Sequence, residues 1–337
     1  NVVSISNTFK QIGFSACVVI VPIACLIIPG GSKVLVKSGE TDLPMIANEY
    51  LFTAVLTAVF GCVLFGLIPL LNKERVPYTA GDKISFKDMM DALKSNKPFM
   101  LVIISYFLGF GRQMAMGIQV QAANILLGSQ NLVAVLGIST AIGTMISMAA
   151  CPFLIKKLDE KKVFIGLSVY GFIASVLSFV IAHFWFTNPD NMVLTVLFYF
   201  SLFLMGLQFA SVNLMPMIMT ADCVDYYEYE TGKRMEGTAY SVLTLTIKIC
   251  LALGTALGLV FVQVSGYSDT VREIAAGTAA GFATKTKDIV FFAYAVVPGI
   301  LSLLSAIPIF KYDIVGKKKQ EISDALQARR TAAAAEK

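Results

Sequence analysis

Uncharged apolar windows of about twenty residues recur along this chain, and no other feature restricts its fold as strongly. A helix crossing a hydrocarbon core of about 30 Å needs about 20 apolar residues, because it rises about 1.5 Å per residue. Windows free of Asp, Glu, Lys and Arg run over 11–32, 50–72, 163–189, 191–221 and 289–310. Residues 98–111 and 113–155 are also uncharged, with only Arg112 between them. That stretch is too long for one helix. Gly128-Ser129-Gln130-Asn131 is a turn signal within it, so it divides into helices over 98–127 and 132–155. A further helix spans 237–265 and carries Lys248 inside it. Eight membrane helices are therefore expected. A β-barrel is excluded, because the windows lack alternation between lipid-facing and lumen-facing residues. Of the 337 residues, 56% are hydrophobic and 15% charged, against about 25% charged in an ordinary soluble domain. That balance rules out soluble enzymes, nucleic-acid binders and disordered chains.

Lys and Arg orient such helices, since cytoplasmic loops carry the excess. Nineteen of them lie in 73–97, 156–162, 233–234 and the tail from Lys311, against five in the opposite loops. The tail and the 72–97 loop are thus expected in the cytoplasm, in a multi-pass protein of the cytoplasmic membrane. The +5 net charge is an orientation signal and not a nucleic-acid patch. Ser85-Phe86-Lys87-Asp88 has capping-box spacing ahead of Met89, Met90 and Leu93, which predicts a short amphipathic helix in that loop. The chain then divides into two helices (1–71), a cytoplasmic linker (72–97), a six-helix body (98–310) and a polar tail (311–337). The tail, Ala-rich at its end, reads as mobile or weakly helical.

Six Cys lack any C-x-x-C spacing and sit mostly in apolar runs, as buried soft hydrophobes. No metal site is expected. The lone His183, beside Trp185 at the end of an apolar run, reads as an interfacial residue.

Two bases lie at membrane depth. Arg112 falls 14 residues into its helix and Lys248 about 11 into its own. A base at that depth costs about 2.5–3.5 kcal/mol on insertion scales, so it must face a partner or a wet cavity. Tyr240, Ser241, Thr244 and Thr255 fall on the stripe of Lys248. Ser105 and Gln119 flank Arg112 at seven residues either side, while Gln208 and Ser211 share a face and Asn213 follows. Hydroxyls, amides and cations from several helices would suit a polyhydroxylated or anionic solute. Lys248, Thr244, Arg112, Gln119, Gln208 and Asn213 are the candidate solute-binding residues. The competing reading is that these groups only bond helix to helix, or that Arg112 snorkels.

The densest motif is Ala-Asp-Cys-Val-Asp-Tyr-Tyr-Glu-Tyr-Glu-Thr-Gly-Lys-Arg-Met-Glu-Gly over 221–237. Asp222, Asp225, Lys233, Arg234 and Glu236 read as complementary charges between two helix ends, a candidate cytoplasmic gate. With Tyr240-Ser241 and Lys248 behind it, this segment resembles the glycoside–pentoside–hexuronide:cation symporters, the melibiose-permease-like family of the major facilitator superfamily. Helix count, orientation and the long loop ahead of a six-helix half agree with the resemblance. Residues 152–162 also resemble that family's loop between helices 8 and 9, except that Asp159-Glu160 stands where a Gly-bearing turn is usual.

The resemblance implies an all-α, twelve-helix fold of which this chain supplies helices 5 to 12. It implies alternating-access symport of a sugar or glycoside with Na⁺ or H⁺, the coupling-ion site lying in the helices before Asn1. It places Lys248 and Thr244 at sugar-site positions, and Asn213 where the family has a Trp packed on the sugar. The family's Arg near the start of helix 5 has no counterpart beyond Lys10. The rival solutes are lipid-like molecules or organic anions, and the rival class is a non-transporting sensor or inactive fragment. No enzymatic step is expected, since no nucleophile or general base is evident.

Overall fold

The computed structural model describes residues 95–128, 133–279 and 281–335, with isolated positions between 55 and 66. The first two expected helices and the amphipathic linker helix lie outside the described residues. The body is helical throughout. Its elements are α1 (Lys97–Leu108), α2 (Gly111–Gly117), α3 (Gln119–Leu127), α4 (Val133–Leu158), α5 (Glu160–Thr187), α6 (Met192–Leu207), α7 (Phe209–Asn213), α8 (Met215–Thr231) and α9 (Glu236–Val264). Then follow α10 (Tyr267–Ala275), α11 (Thr284–Phe291), a π turn (Phe292–Val296), α12 (Val297–Ile309) and α13 (Gly316–Ala335). Six runs among the described residues are long and apolar enough to cross a membrane: 97–117, 136–158, 160–187, 192–231, 236–264 and 284–309. They match the six windows read from 98 onward, and the protein is a multi-pass membrane protein.

Local sequence explains where the helices start and turn. Asn96 caps α1: its side-chain oxygen accepts the Phe99 amide at 3.2 Å, and Pro98 occupies the first turn, where a missing N–H costs nothing. The Asn96 amide donates to the Cys223 carbonyl at 2.9 Å, fixing α1 to α8. Gly128 ends α3 at φ 75°, as the turn signal requires. Between α4 and α5 one residue reverses the chain, and that residue is Asp159 at φ 68°. The turn is thus made without Gly, at φ 68° and ψ 156°, a strained conformation nearly confined to Gly and outside the left-handed helical well that Asp tolerates.

Two expected helices are irregular. The run expected over 98–127 breaks at 109–110 and again at Ile118. The 192–231 run is one helix with irregular turns at Gln208 and Leu214, both of which keep right-handed helical angles. At 40 residues its contour is about 60 Å, twice the hydrocarbon thickness. Its last turns therefore stand clear of the membrane as a helix, where the sequence reading ended the helix at Ala221.

Packing follows small residues and hydroxyls. The α4–α6 crossing is so close that a Cβ on Gly143 would fall 2.2 Å from the Phe203 carbonyl oxygen, and one on Gly206 2.3 Å from that of Thr140. Thr144 Oγ1 and Ser178 Oγ donate to the carbonyls of Gly206 and Ser201, and Ser105 Oγ to that of Ser305 at 2.6 Å. Such bonds and close contacts hold helices together where lipid is as apolar as Leu. Among the described cysteines Cys151, Cys223 and Cys250 are buried, as expected, whereas Cys62 is exposed.

The tail corrects its expectation. It forms the twenty-residue helix α13, and Ile322 and Leu326 are buried against the core beside Cys223, Val224, Tyr312 and Ile314. The i, i+4 apolar pair gives the helix one buried edge, so it packs against α8 and is not a free arm.

Candidate functional site

The structure divides the candidate residues between mid-bundle and the end of the bundle that carries the 221–237 charges. At mid-bundle, α1, α7 and α9 meet through Tyr106, Val212, Leu243 and Cys250. Gln113 Nε2 donates to Tyr106 Oη at 3.2 Å. Arg112, on the short α2, lays its guanidinium over the Phe209 ring, 4.8 Å from the centroid. Its Nη1 is sealed from solvent and finds no hydrogen-bond partner among the described residues. Asn213 lies one turn after Phe209 on α7, and its Nδ2 is likewise sealed and unmatched.

Arg112 thus packs on Phe209, and Asn213 closes the same short helical segment as that ring. Nothing in the sequence pattern marked Phe209. Lys248 and Thr244 lie on the exposed flank of α9, beside the buried Leu243 and Cys250. Thr244 Oγ1 donates to the Tyr240 carbonyl at 2.8 Å, and the Tyr240 hydroxyl to the Met217 carbonyl at 3.3 Å.

Other candidates lie elsewhere. Gln208 is buried between α5 and α6, with its Nε2 on Ser175 Oγ at 3.4 Å and its side chain filling the space over Gly171. That is a helix-to-helix bond, so the structure does not bring Gln208 to the Arg112 group. Ser105 and Ser211 spend their hydroxyls on the carbonyls of Ser305 and Gln208. Thr255 packs where a Cβ on Gly117 would sit. Gln119 opens α3, half-buried, beyond the break at Ile118.

At the end of the bundle that carries them, the charges of 221–237 form two separate groups. Arg234 donates to Asp225 at 3.1 Å, Glu228 at 2.5 Å and Glu236 at 3.0 Å. It staples the end of α8 to the start of α9. Burial works against its charge, but Glu228 and Glu236 outweigh that and hold its pKa above the ordinary guanidinium value. Lys233 is exposed, with its backbone N–H on Thr231 Oγ1 at 3.2 Å.

Asp222 belongs to the second group. Lys319 of α13 donates to Asp222 at 2.8 Å and to Glu160 at 2.5 Å. Both acids are nearly sealed: their side chains are 11% and 7% exposed. Burial disfavours the Lys319 charge, but Asp222 and then Glu160 keep its pKa above the ordinary ammonium value. Along the same helix, Lys318 pairs with Asp313 and sits 5.0 Å from the Tyr226 ring, and Arg329 lies 5.5 Å over Tyr229. Sequence reasoning missed Lys319, Glu160 and Glu228. A Lys three residues before Ile322, on the same face of a helix, was the available signal.

Reversing Arg234 to Glu replaces three attractions with repulsions. Exposed pairs are worth up to about 1 kcal/mol each, so closure that depends on them should weaken about tenfold or more. Initial uptake rate per inserted molecule should fall accordingly. Glu228→Arg should restore part of it and Asp222→Arg should not, because Asp222 serves Lys319. Equal rescue by both would show that the two groups act as one.

Comparison with known proteins agrees with this architecture. The chain is 26% identical over 290 residues to the putative 2,3-dihydroxypropane-1-sulfonate exporter of Salmonella typhimurium, covering 84% of this chain and 58% of that protein. It is 25% identical over 230 residues to the putative sulfoquinovose importer of Escherichia coli, covering 66% and 46%. To the glucuronide carrier protein homolog of Escherichia coli it is 24% identical over 320 residues, covering 92% and 63%. The chain spans about half the length of the curated relatives it matches. The family model described as MFS/sugar transport protein matches residues 2–316. With six apolar helices, a motif-bearing α8–α9 connection and that match over nearly its whole length, the chain belongs to the MFS/sugar transport protein family.

Proposed function

We propose that this protein is a secondary active transporter of a sugar or glycoside, coupled to Na⁺ or H⁺ and working by alternating access. The observation that carries the reading is the mid-bundle group. Arg112 on Phe209, Asn213 in the same short segment, and Thr244 and Lys248 on the uninterrupted α9 supply two cations, an aromatic ring, an amide and a hydroxyl within apolar helices. An aromatic face suits the C–H surface of a sugar ring, and the donors suit its oxygens. Family membership and relatives named as carriers of sugars and sulfonates support the reading.

The coupling ion and its site fall outside the described residues in this proposal. No covalent step is involved. The protein sits in the cytoplasmic membrane with α13 and the 222–236 charges on the inner side, supported by the basic excess there. The 221–236 staple and the Lys319 group hold the inner ends of α5, α8 and α9 while the central site changes sides. The lipid bilayer is the surrounding solvent, and a small solute the transient partner.

The test is uptake by the full-length protein in proteoliposomes under imposed Na⁺ and H⁺ gradients, with radiolabelled sugars and glycosides. Accumulation that collapses with the gradient is the expected result. Facilitated equilibration without accumulation would remove the coupling, and absence of flux for every sugar would remove the reading.

A further inference from the structure

We infer that the turn between α4 and α5, together with the end of α12, forms a binding site for the headgroup of an anionic phospholipid. Four lysines bracket the turn: Lys156 and Lys157 close α4, and Lys161 and Lys162 open α5. Lys161 Nζ donates to the Phe310 carbonyl at 2.8 Å. That bond ties the start of α5 to the end of α12 and brings Lys311, the next residue, to the same place. Lys156, Lys157, Lys162 and Lys311 are exposed, and none is held by an acid among the described residues.

The neighbouring acids do not neutralise this group. Within 156–162 and 307–311 the acids are Asp159 and Glu160. Glu160 is held by Lys319, and Asp313, beyond Lys311, by Lys318. Asp159 therefore stands against five lysines. Nor does it satisfy the helix it precedes. Its side chain makes no cap, so the first-turn N–H groups of α5 receive no acceptor from it. A helix start with free N–H groups favours phosphate, and this one lies between the two lysine pairs.

The apolar residues beside the lysines decide the kind of anion. Phe153, one turn before Lys157 on α4, and Ile307 and Phe310 at the end of α12 are all largely exposed. Both helices are membrane spans, so these side chains meet acyl chains. Lysines at a membrane edge attract anionic lipid, about fivefold for each. A phospholipid uses both parts of the surface, with its phosphate on the lysines and N–H groups and its chains on Phe153, Ile307 and Phe310. A free phosphate would leave the apolar part unused. The strained backbone of Asp159 persists only where its surroundings hold it, and a headgroup bridging α4 and α5 adds to that hold.

The experiment uses purified full-length protein in neutral detergent, with phosphatidylglycerol, cardiolipin or phosphatidylcholine titrated into the micelle. Binding is read as lipid adducts by native mass spectrometry and as thermal stabilisation. The anionic lipids should bind about tenfold or more tighter than phosphatidylcholine. Lys156→Gln with Lys157→Gln should weaken their binding about 25-fold, two lysines' worth. Adding Lys162→Gln and Lys311→Gln should erase the preference. Lys161 is kept, because it holds the Phe310 carbonyl. Lys285→Gln with Lys287→Gln, which removes two lysines at the start of α11, should leave binding unchanged. Unfolding in phosphatidylcholine alone reports whether each variant folds. Lys162→Gln with Lys311→Gln, as a second double variant, serves if the fourfold one does not.

Phosphatidylcholine bound as tightly as the anionic lipids, or an anionic preference that survives in the fourfold or both double variants, overturns the site. An equal loss on removing Lys285 and Lys287 shows that only total charge matters and overturns it as well. Inorganic phosphate or glycerol 3-phosphate stabilising as strongly as phosphatidylglycerol shows the anion to be soluble and overturns the lipid assignment. Each of these outcomes leaves the transporter reading standing, since no transported solute enters the measurement.

Discussion

Lys248→Ala in the full-length protein should lower gradient-driven uptake by at least about a hundredfold while leaving insertion and expression intact, a loss of about 2.7 kcal/mol or more in the transport step. Lys248 is exposed on α9 beside Thr244 and has no ion-pair partner among the described residues. A base retained at membrane depth marks a solute path or a pairing site. Its proposed counter-charge is an acid outside the described residues, or the solute itself. Lys248→Arg should also transport poorly, because a planar fork does not replace a compact, mobile point charge. Uptake and surface quantity are measured together. Near-normal uptake by Lys248→Ala would remove it from the site and leave Thr244 without its neighbour's role.

The second large effect is on stability. Lys319→Ala leaves Glu160 and Asp222 facing each other, both nearly sealed. Removing one partner of a buried ion pair costs about 3–5 kcal/mol. Lys319 is itself 35% exposed, so screening trims the loss toward about 2 kcal/mol. Thermal unfolding in detergent should shift downward, and limited proteolysis should cut within 316–335, where the wild-type helix resists. Lys319→Ala combined with Glu160→Gln and Asp222→Asn should recover much of the loss, since neutral amides remove the repulsion. Failure of the triple variant to recover would mean that Lys319 acts by packing.

Hydropathy and charge made the membrane helices from residue 98 onward legible, because one-sided exclusion of charge is what the bilayer demands. The irregular turns at Gln208 and Leu214 had local signals that hydropathy passes over: Pro216 lacks the N–H that would bond the Val212 carbonyl, and Gly206 lies two residues before Gln208. The sequence reading stopped α8 at Ala221 because charge begins there, yet charge marks only the edge of the membrane. Tyr, Glu and Thr up to Thr231 continue the helix in water until Gly232 ends it at φ 71°.

The candidate site was legible in its parts and less so in their grouping. Arg112 packs on Phe209, a residue that nothing in the hydropathy pattern distinguished from its apolar neighbours. Gln208, one residue before it, points between α5 and α6. A single turn of helix separates a wall residue from a lining one, and the irregular turns on either side of α7 set which is which. Asp222 and Asp225 looked like one charge cluster, but three residues on a helix turn them toward different cations.

The Lys319 contact also bears on the order in which the protein is made. Glu160 and Asp222 precede Lys319 by 159 and 97 residues. A chain is inserted from its N-terminal side first, so α5 and α8 are already threaded through the bilayer when their shared cation has yet to leave the ribosome. Until then two acids at neighbouring ends of these helices have only water to separate them. Closure of that end through Lys319 therefore comes after both helices are made. A message cut short before Lys319 would leave the two acids without their shared cation and that end open to proteolysis.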